Sequence, residues 1–145
     1  MILKIEEIEQ EILDEFSLYE NWMEKYEYII DLGKELPKIS PQSKTNDNLI
    51  KGCQSQVWLQ AVLTNNSINF TADSDAIITK GIIALLIRVL NNQPPQDIIN
   101  AQLTFIDKIG LKSHLSPTRA NGLLEMVKQM KAYAFVYANK ECLSQ

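Results

Sequence analysis

The chain has 145 residues, 46% of them hydrophobic and 22% charged, a composition typical of one globular domain spanning residues 1–145. Its formal net charge of -4 and isoelectric point of about 5.0 argue against a nucleic-acid-binding surface. Two widely spaced cysteines make a poor disulfide framework and no secretory signal is recognisable, so a reducing cytoplasm is the expected compartment. The most apolar stretch, residues 76–90, is interrupted by Lys80 and Arg88 and is too short to cross a bilayer, which argues against a membrane protein.

The first third of the chain predicts two amphipathic helices. Apolar residues at every third or fourth position indicate a helix over residues 3–16. A second helix is expected over residues 21–32, with Asn21 as its N-cap and Gly33 as its C-terminal stop. Residues 34–48 are rich in proline, serine and asparagine and predict a surface connection.

The middle of the chain predicts a β-hairpin with one buried face. Apolar and polar side chains alternate over residues 55–63 and again over residues 68–73, and Asn65-Asn66 between them suits a tight turn. The buried face is expected to consist of Val57, Leu59, Ala61, Leu63, Ile68, Phe70 and Ala72.

Helices return after the hairpin. Residues 76–90 are apolar around the whole girth and predict a central helix packed on the sheet, capped by Ser74 or Asp75. Short helical pieces are expected between residues 95 and 109, and a last helix has Pro117 at its first position. The order of helices, strands and helices predicts an α+β fold, a small antiparallel sheet covered by helices. The buried stripe of the last helix is expected to comprise Ala120, Leu123, Leu124, Val127, Met130 and Ala134.

The candidate chemistry lies in the loop before the first strand. Gly52 lets the backbone turn sharply and places Cys53 at a loop tip, where a reactive thiol is plausible chemistry. The neighbouring Gln54, Ser55 and Gln56 supply groups that hydrogen-bond a thiolate or a persulfide. A small buried hydrophobe is the alternative interpretation of this cysteine. The residues by themselves leave both interpretations open.

Other polar residues admit two interpretations each. His114, the single histidine, is either a proton acceptor for Cys53 or a loop residue that shapes the entry to the last helix. Arg119 stands in the first turn of a helix, where a cation opposes the macrodipole, so it either pairs with a carboxylate such as Asp75 or a sulfur anion, or is simply solvated. Cys142 near the carboxyl end is interpreted as incidental. No metal site is expected, because the two cysteines and the histidine lie on distant segments.

Residues 50–58, Ile-Lys-Gly-Cys-Gln-Ser-Gln-Val-Trp, resemble the active-site motif of the SufE family, the sulfur-acceptor proteins of iron–sulfur cluster assembly. Further landmarks along nearly the whole chain carry the same resemblance. They are Asn21-Trp22, Leu32-Gly33, Asp73-Ser74-Asp75-Ala76, Thr79-Lys80-Gly81, Pro95-Gln96-Asp97-Ile98, His114-Leu115-Ser116-Pro117, and Arg119 with Gly122-Leu123.

The resemblance implies a fold like that of SufE and the scaffold protein IscU. It implies that Cys53 accepts sulfur as a persulfide from a SufS-like cysteine desulfurase and passes it to a SufB-like iron–sulfur scaffold, rather than acting as a stand-alone enzyme. Pyridoxal phosphate would belong to the desulfurase, so this chain is expected to need no cofactor. It also implies that Cys53 is sheltered against an apolar pocket until docking. Supporting or partner-contacting roles are expected for Gly52, Gln54, Ser55, Gln56, Asp75, His114 and Arg119.

Two other functions stay open beside the sulfur carrier. The first is a module that binds and activates the desulfurase without carrying sulfur itself. The second is a cluster scaffold, which is disfavoured because a cluster needs several thiolate or histidine ligands and the motif holds a single cysteine.

Overall fold

The chain forms two helices, then one β-hairpin, then further helices, in the order that the hydrophobic pattern predicts. The structure is a computed structural model that describes residues 4–144, with side chains through residue 139. The helices are α1 (Ile5–Phe16), α2 (Trp22–Lys34), α3 (Ile77–Leu90), α4 (Pro95–Asn100), α5 (Phe105–Lys108) and α6 (Pro117–Ser144), and the strands are β1 (Val57–Thr64) and β2 (Ser67–Ser74). The expected α+β class is confirmed. Within the described range, no helix combines the length and the apolar character that crossing a membrane requires.

The two strands form one antiparallel hairpin, in register from Val57 opposite Ser74 to Thr64 opposite Ser67. Asn65 and Asn66 have φ angles of 54° and 66°, the left-handed pair that a two-residue hairpin turn requires. The expected apolar face is buried apart from Leu63, which is half-buried. Alternation in the sequence therefore predicts both the register and the face that meets the helices.

The connection between α2 and β1 is more than a surface loop. Its early part runs along the outer edge of β2, where Ala72 N donates to Pro37 O and Ile39 N donates to Ala72 O. Its late part runs along the outer edge of β1, where Ile50 N donates to Val57 O at 2.8 Å. Leu36 and Ile39, which lie within residues 34–48, are buried, so the prediction of a surface connection is wrong at these two residues.

Helices α2 and α3 approach each other through two glycines. Gly33, expected to end α2, lies inside the helix, which continues to Lys34, so that prediction is wrong. A Cβ at Gly81 of α3 would lie 2.2 Å from the carbonyl oxygen of Ile29, and one at Gly33 would lie 2.9 Å from Gly81 N. Both glycines are required by helix contact rather than by chain termination.

Helix α3 forms the centre of the core. Ten of its residues are buried, and it packs against α2, β2 and α1. Its N-cap is Ala76, with no side-chain cap, so the prediction that Ser74 or Asp75 caps this helix is wrong. The Asp75 carboxylate accepts a hydrogen bond from Gln56 N instead.

Asp73 is a buried charge at the end of β2. Its carboxylate lies 2.5 Å from Lys44 Nζ and 3.1 Å from Lys80 Nζ, and it accepts a hydrogen bond from Ser74 N. Burial by itself raises the pKa of this carboxyl, but the lysines and the backbone bond outweigh burial and lower the pKa to about 2. The Lys44 ammonium also lies 5.3 Å above the ring of Trp58, so this cluster ties the α2–β1 connection to the sheet.

Helix α6 covers the hairpin and carries one wall of the site. Pro117 is its first residue, as predicted, and Ser116 Oγ accepts from Arg119 N at 3.3 Å. Leu123 is buried, but the predicted burial of Leu124 is wrong, because this residue is 49% exposed. A helix turns about 100° per residue, so Leu124 points away from the core that Leu123 enters. Ala120 and Val127, also expected in the buried stripe, are only half-buried. The other buried residues among the described side chains of α6 are Gly122, Met126, Met130 and Ala134.

Candidate functional site: a sheltered cysteine

The loop of residues 51–56 is anchored at its base. The bond from Ile50 N to Val57 O closes its stem. At the C-terminal end of the loop, Gln56 N donates to Asp75 Oδ1 at 3.1 Å. Gln56 O accepts from Ser74 Oγ at 2.8 Å and from Asp75 N at 3.3 Å. The end of β2 and the residues just before α3 therefore fix the point at which the loop enters β1.

The tip of the loop lies on α6 through Gly52. This residue has a φ angle of 88°, so the sharp turn expected at this glycine is present. A Cβ added here would lie 2.8 Å from Cγ of Glu125, and Gly52 O accepts from Asn121 Nδ2 at 3.4 Å. Glycine at this position thus serves both the backbone conformation and the close contact with the helix.

Cys53 is half-buried between the loop and α6. Its Sγ lies 3.6 Å from the carbonyl oxygen of Gly122, and a Cβ at Gly122 would lie 3.5 Å from the same sulfur. Burial raises the pKa of the Cys53 thiol, and the nearby negative charge of Glu125 raises it further. The thiol is therefore protonated at neutral pH, which suits a sulfur that is protected until it is needed.

A cavity of about 260 Å³ opens beside this sulfur. Ile82 of α3 and Met126 of α6 give it apolar lining, while Thr79 and Ser55 contribute hydroxyl groups. Of the described residues that line the cavity, Arg119 alone is charged. The volume is several times that of a water molecule, so the cavity beside the thiol has room for one more sulfur atom.

Arg119 and Asp75 are not brought together. Arg119 is exposed, lines the cavity beside Cys53, and makes no ion pair with any described carboxylate. Asp75 does not line this cavity; its carboxylate bonds Gln56 N at the base of the loop. The suggested pairing of the two is therefore wrong, because the Asp75 carboxylate is hydrogen-bonded to the backbone of the loop at Gln56 N.

His114 lies beside α2 rather than in the cavity lining. Its ring stacks on that of Trp22, with centroids 3.9 Å apart and planes inclined by 17°. Its Nδ1 lies 3.0 Å from Gly110 O, and its carbonyl oxygen accepts from the Tyr26 hydroxyl. These contacts favour the interpretation in which His114 shapes the entry to α6.

Two residues of the site were not anticipated from the sequence. Asn121 and Glu125, one helical turn apart on α6, both meet the backbone of Gly52. The available signal was Gly122 between them, since a glycine inside a helix indicates a close approach by another segment.

Among the described side chains, no three His, Cys, Asp or Glu residues are grouped so as to hold a metal ion. Cys142, interpreted as incidental, has its side chain outside the described residues.

Comparison with known proteins shows the family and the fold of this chain. The family model described as "SufE: Fe-S metabolism associated domain" matches residues 10–134. An uncharacterized SufE-like protein of Rhizobium meliloti (strain 1021) is 36% identical over 129 residues, covering 86% of this chain and 92% of that protein. The solution structure of a hypothetical protein from Thermus thermophilus has the same fold, with a TM-score of 0.74 at 16% identity, covering 95% of this chain and 97% of that one. With residues 10–134 matched, the chain belongs to the SufE family of domains associated with iron–sulfur metabolism.

Proposed function

We propose that this protein accepts a sulfur atom as a persulfide on Cys53 from a pyridoxal-phosphate-dependent cysteine desulfurase and passes it to an iron–sulfur scaffold. The observation that carries the proposal is the half-buried thiol on a loop anchored at its base, next to a cavity with room for one more sulfur. Membership of a family associated with iron–sulfur metabolism supports the same chemistry. A free thiol of this kind persists in a reducing compartment, and the cytoplasm is accordingly the proposed location.

The transfer is a thiol exchange that needs no oxidant. The Cys53 thiolate attacks the terminal sulfur of the desulfurase's cysteine persulfide, forming one S–S bond while the S–S bond on the desulfurase breaks. The desulfurase cysteine leaves as a thiolate, and the proton that Cys53 gave up passes to solvent or to that leaving group. Cys53 then holds the labile sulfur until an acceptor thiolate on the scaffold repeats the exchange.

Sheltering and activation make opposite demands on Cys53. In the resting structure its raised pKa keeps the thiol neutral and slow to react with oxidants. Docking must therefore expose the sulfur and favour its anion. Arg119 supplies an uncommitted positive charge at the mouth of the same cavity, where it stabilises a thiolate or persulfide anion.

Asp75 contributes by holding the base of the loop. The Asp75 carboxylate and the Asp75 N–H both form hydrogen bonds with the backbone of Gln56. Asp75→Asn removes the negative charge and so weakens the hydrogen bond that holds the base of the loop. We expect this variant to change the rate of sulfur transfer or the affinity for the desulfurase without unfolding the protein. Equal transfer and equal binding by the variant, measured in parallel with the parent, would remove Asp75 from the proposed mechanism.

Intact-protein mass spectrometry tests the central claim. After incubation with a SufS-like desulfurase and free cysteine, one added sulfur that reductant removes is expected on the parent protein. Cys142→Ser, which removes the chain's other cysteine, is the matched control and should gain the same mass. Cys53→Ser should gain none.

The same pair of variants tests the activator-module alternative. If Cys53→Ser stimulates the desulfurase as fully as the parent, the protein activates without carrying sulfur and the proposal fails. A sulfur adduct found on Cys142 in place of Cys53 is equally incompatible with it.

A further inference from the structure

Two side chains of α6 that do not line the cavity contact the tip of the cysteine loop at Gly52. Asn121 Nδ2 donates to Gly52 O at 3.4 Å, and the Glu125 side chain fills the space that a Cβ on Gly52 would occupy. The carbonyl oxygen of Gly122, on the same side of the helix, accepts a hydrogen bond from Cys53 Sγ. Loop and helix thus meet over a single helical turn.

We propose that Asn121 and Glu125 are positioning residues that hold the Cys53 loop closed against α6, so that their release exposes the sulfur. This inference rests on the proposed function, since it concerns how a sulfur acceptor presents its thiol. The anchored base of the loop at Gln56 and the exposed tip at Gly52 define which part moves.

The charges around the loop couple its closure to the state of the sulfur. Glu125 faces the loop from α6 and lines a neighbouring cavity of about 440 Å³ together with Lys51 and Lys128, while Arg119 faces Cys53 from the other side. Glu125 makes no ion pair with any described cation. The negative charge of Glu125 raises the pKa of the Cys53 thiol and so favours a neutral thiol in the closed loop, which means that an anionic sulfur favours the open loop.

Alkylation of Cys53 by iodoacetamide, followed by mass spectrometry over a range of pH, measures both effects without any desulfurase. The parent is Cys142→Ser, so that a single thiol reacts. Asn121→Ala should leave the pH midpoint unchanged and raise the limiting rate at high pH about two- to tenfold, the change expected when one hydrogen bond is lost. Glu125→Gln, which keeps the shape and removes the charge, should lower the midpoint without raising the limiting rate. Glu125→Ala should lower the midpoint and raise the limiting rate.

Glu27→Gln is the matched control for the loss of one negative charge, because Glu27 is exposed on α2, outside the loop and its cavity. It should reproduce the parent profile. If Asn121→Ala and Glu125→Ala both follow the parent rate at every pH, the two residues do not hold the loop and the inference is overturned. A midpoint shift in Glu27→Gln equal to that in Glu125→Gln overturns the local charge effect. These outcomes do not depend on sulfur acceptance, which the persulfide assay decides separately.

Discussion

Gly81→Ala is expected to destabilise the protein, although alanine is the better helix former. The new Cβ would lie 2.2 Å from the Ile29 carbonyl oxygen and 2.6 Å from Ile29 Cγ2, far inside contact distance. The carbonyl belongs to the interior of α2, so the whole helix has to move away from α3. Overpacking of this severity costs about 3 kcal/mol, and the better helix propensity of alanine returns about 1 kcal/mol. We therefore expect the free energy of unfolding to fall by about 2 kcal/mol.

Urea unfolding followed by circular dichroism measures this change. With the slope of about 2 kcal/mol per molar that is typical of small proteins, the midpoint should fall by about 1 M. Gly122→Ala is the matched control, because its Cβ would meet Cys53 Sγ at an ordinary 3.5 Å and the helix gain is then unopposed. This control should be at least as stable as the parent. A Gly81→Ala protein as stable as Gly122→Ala would refute the close approach of α2 and α3.

Three further outcomes are expected. Because the pKa of Asp73 is lowered to about 2 in the folded protein, its charged form stabilises the fold above the ordinary value of 3.8, and this stability is lost as pH falls through about 2. Asp73→Asn should accordingly lower the free energy of unfolding at pH 7 by about 2 kcal/mol and flatten the acid branch in urea titrations. His114→Ala should leave the pH profile of Cys53 alkylation unchanged; a shifted profile would place the imidazole in the site after all. Arg119→Ala should slow the gain of sulfur by Cys53 in the mass assay while the urea midpoint stays constant, and an unaltered rate would count against its role.

Local patterns predict most of the secondary structure because the forces concerned are local. Alternation predicts the hairpin, and the residues Asn21 and Pro117 predict where α2 and α6 begin. Gly33 shows the limit of such reasoning. A glycine that ends a helix and one that admits a neighbouring helix look alike until the partner, Gly81, is known.

The site divides in the same way. Gly52 and Cys53 can be recognised as site residues from the sequence, because a glycine precedes a cysteine in a loop and both lie within a run of residues typical of one family. The true partner of Asp75 is a backbone amide 19 residues away, and a sequence cannot rank that amide against a nearby helix terminus or a distant arginine. The contacts of Asn121 and Glu125 depend on which helix the loop folds onto, which only the tertiary packing decides.

The sheet has only two strands, yet each outer edge is covered over part of its length. Lys38 bridges to Ala72 on one side, Leu49 bridges to Trp58 on the other, and Gln93 bridges to Ile68 near the turn. Unprotected strand edges recruit strands from other molecules and lead to aggregation. Under the proposed function the protein meets a sulfur donor and then a sulfur acceptor, and covered strand edges would direct both encounters to side chains on its loops and helices and away from non-specific backbone pairing.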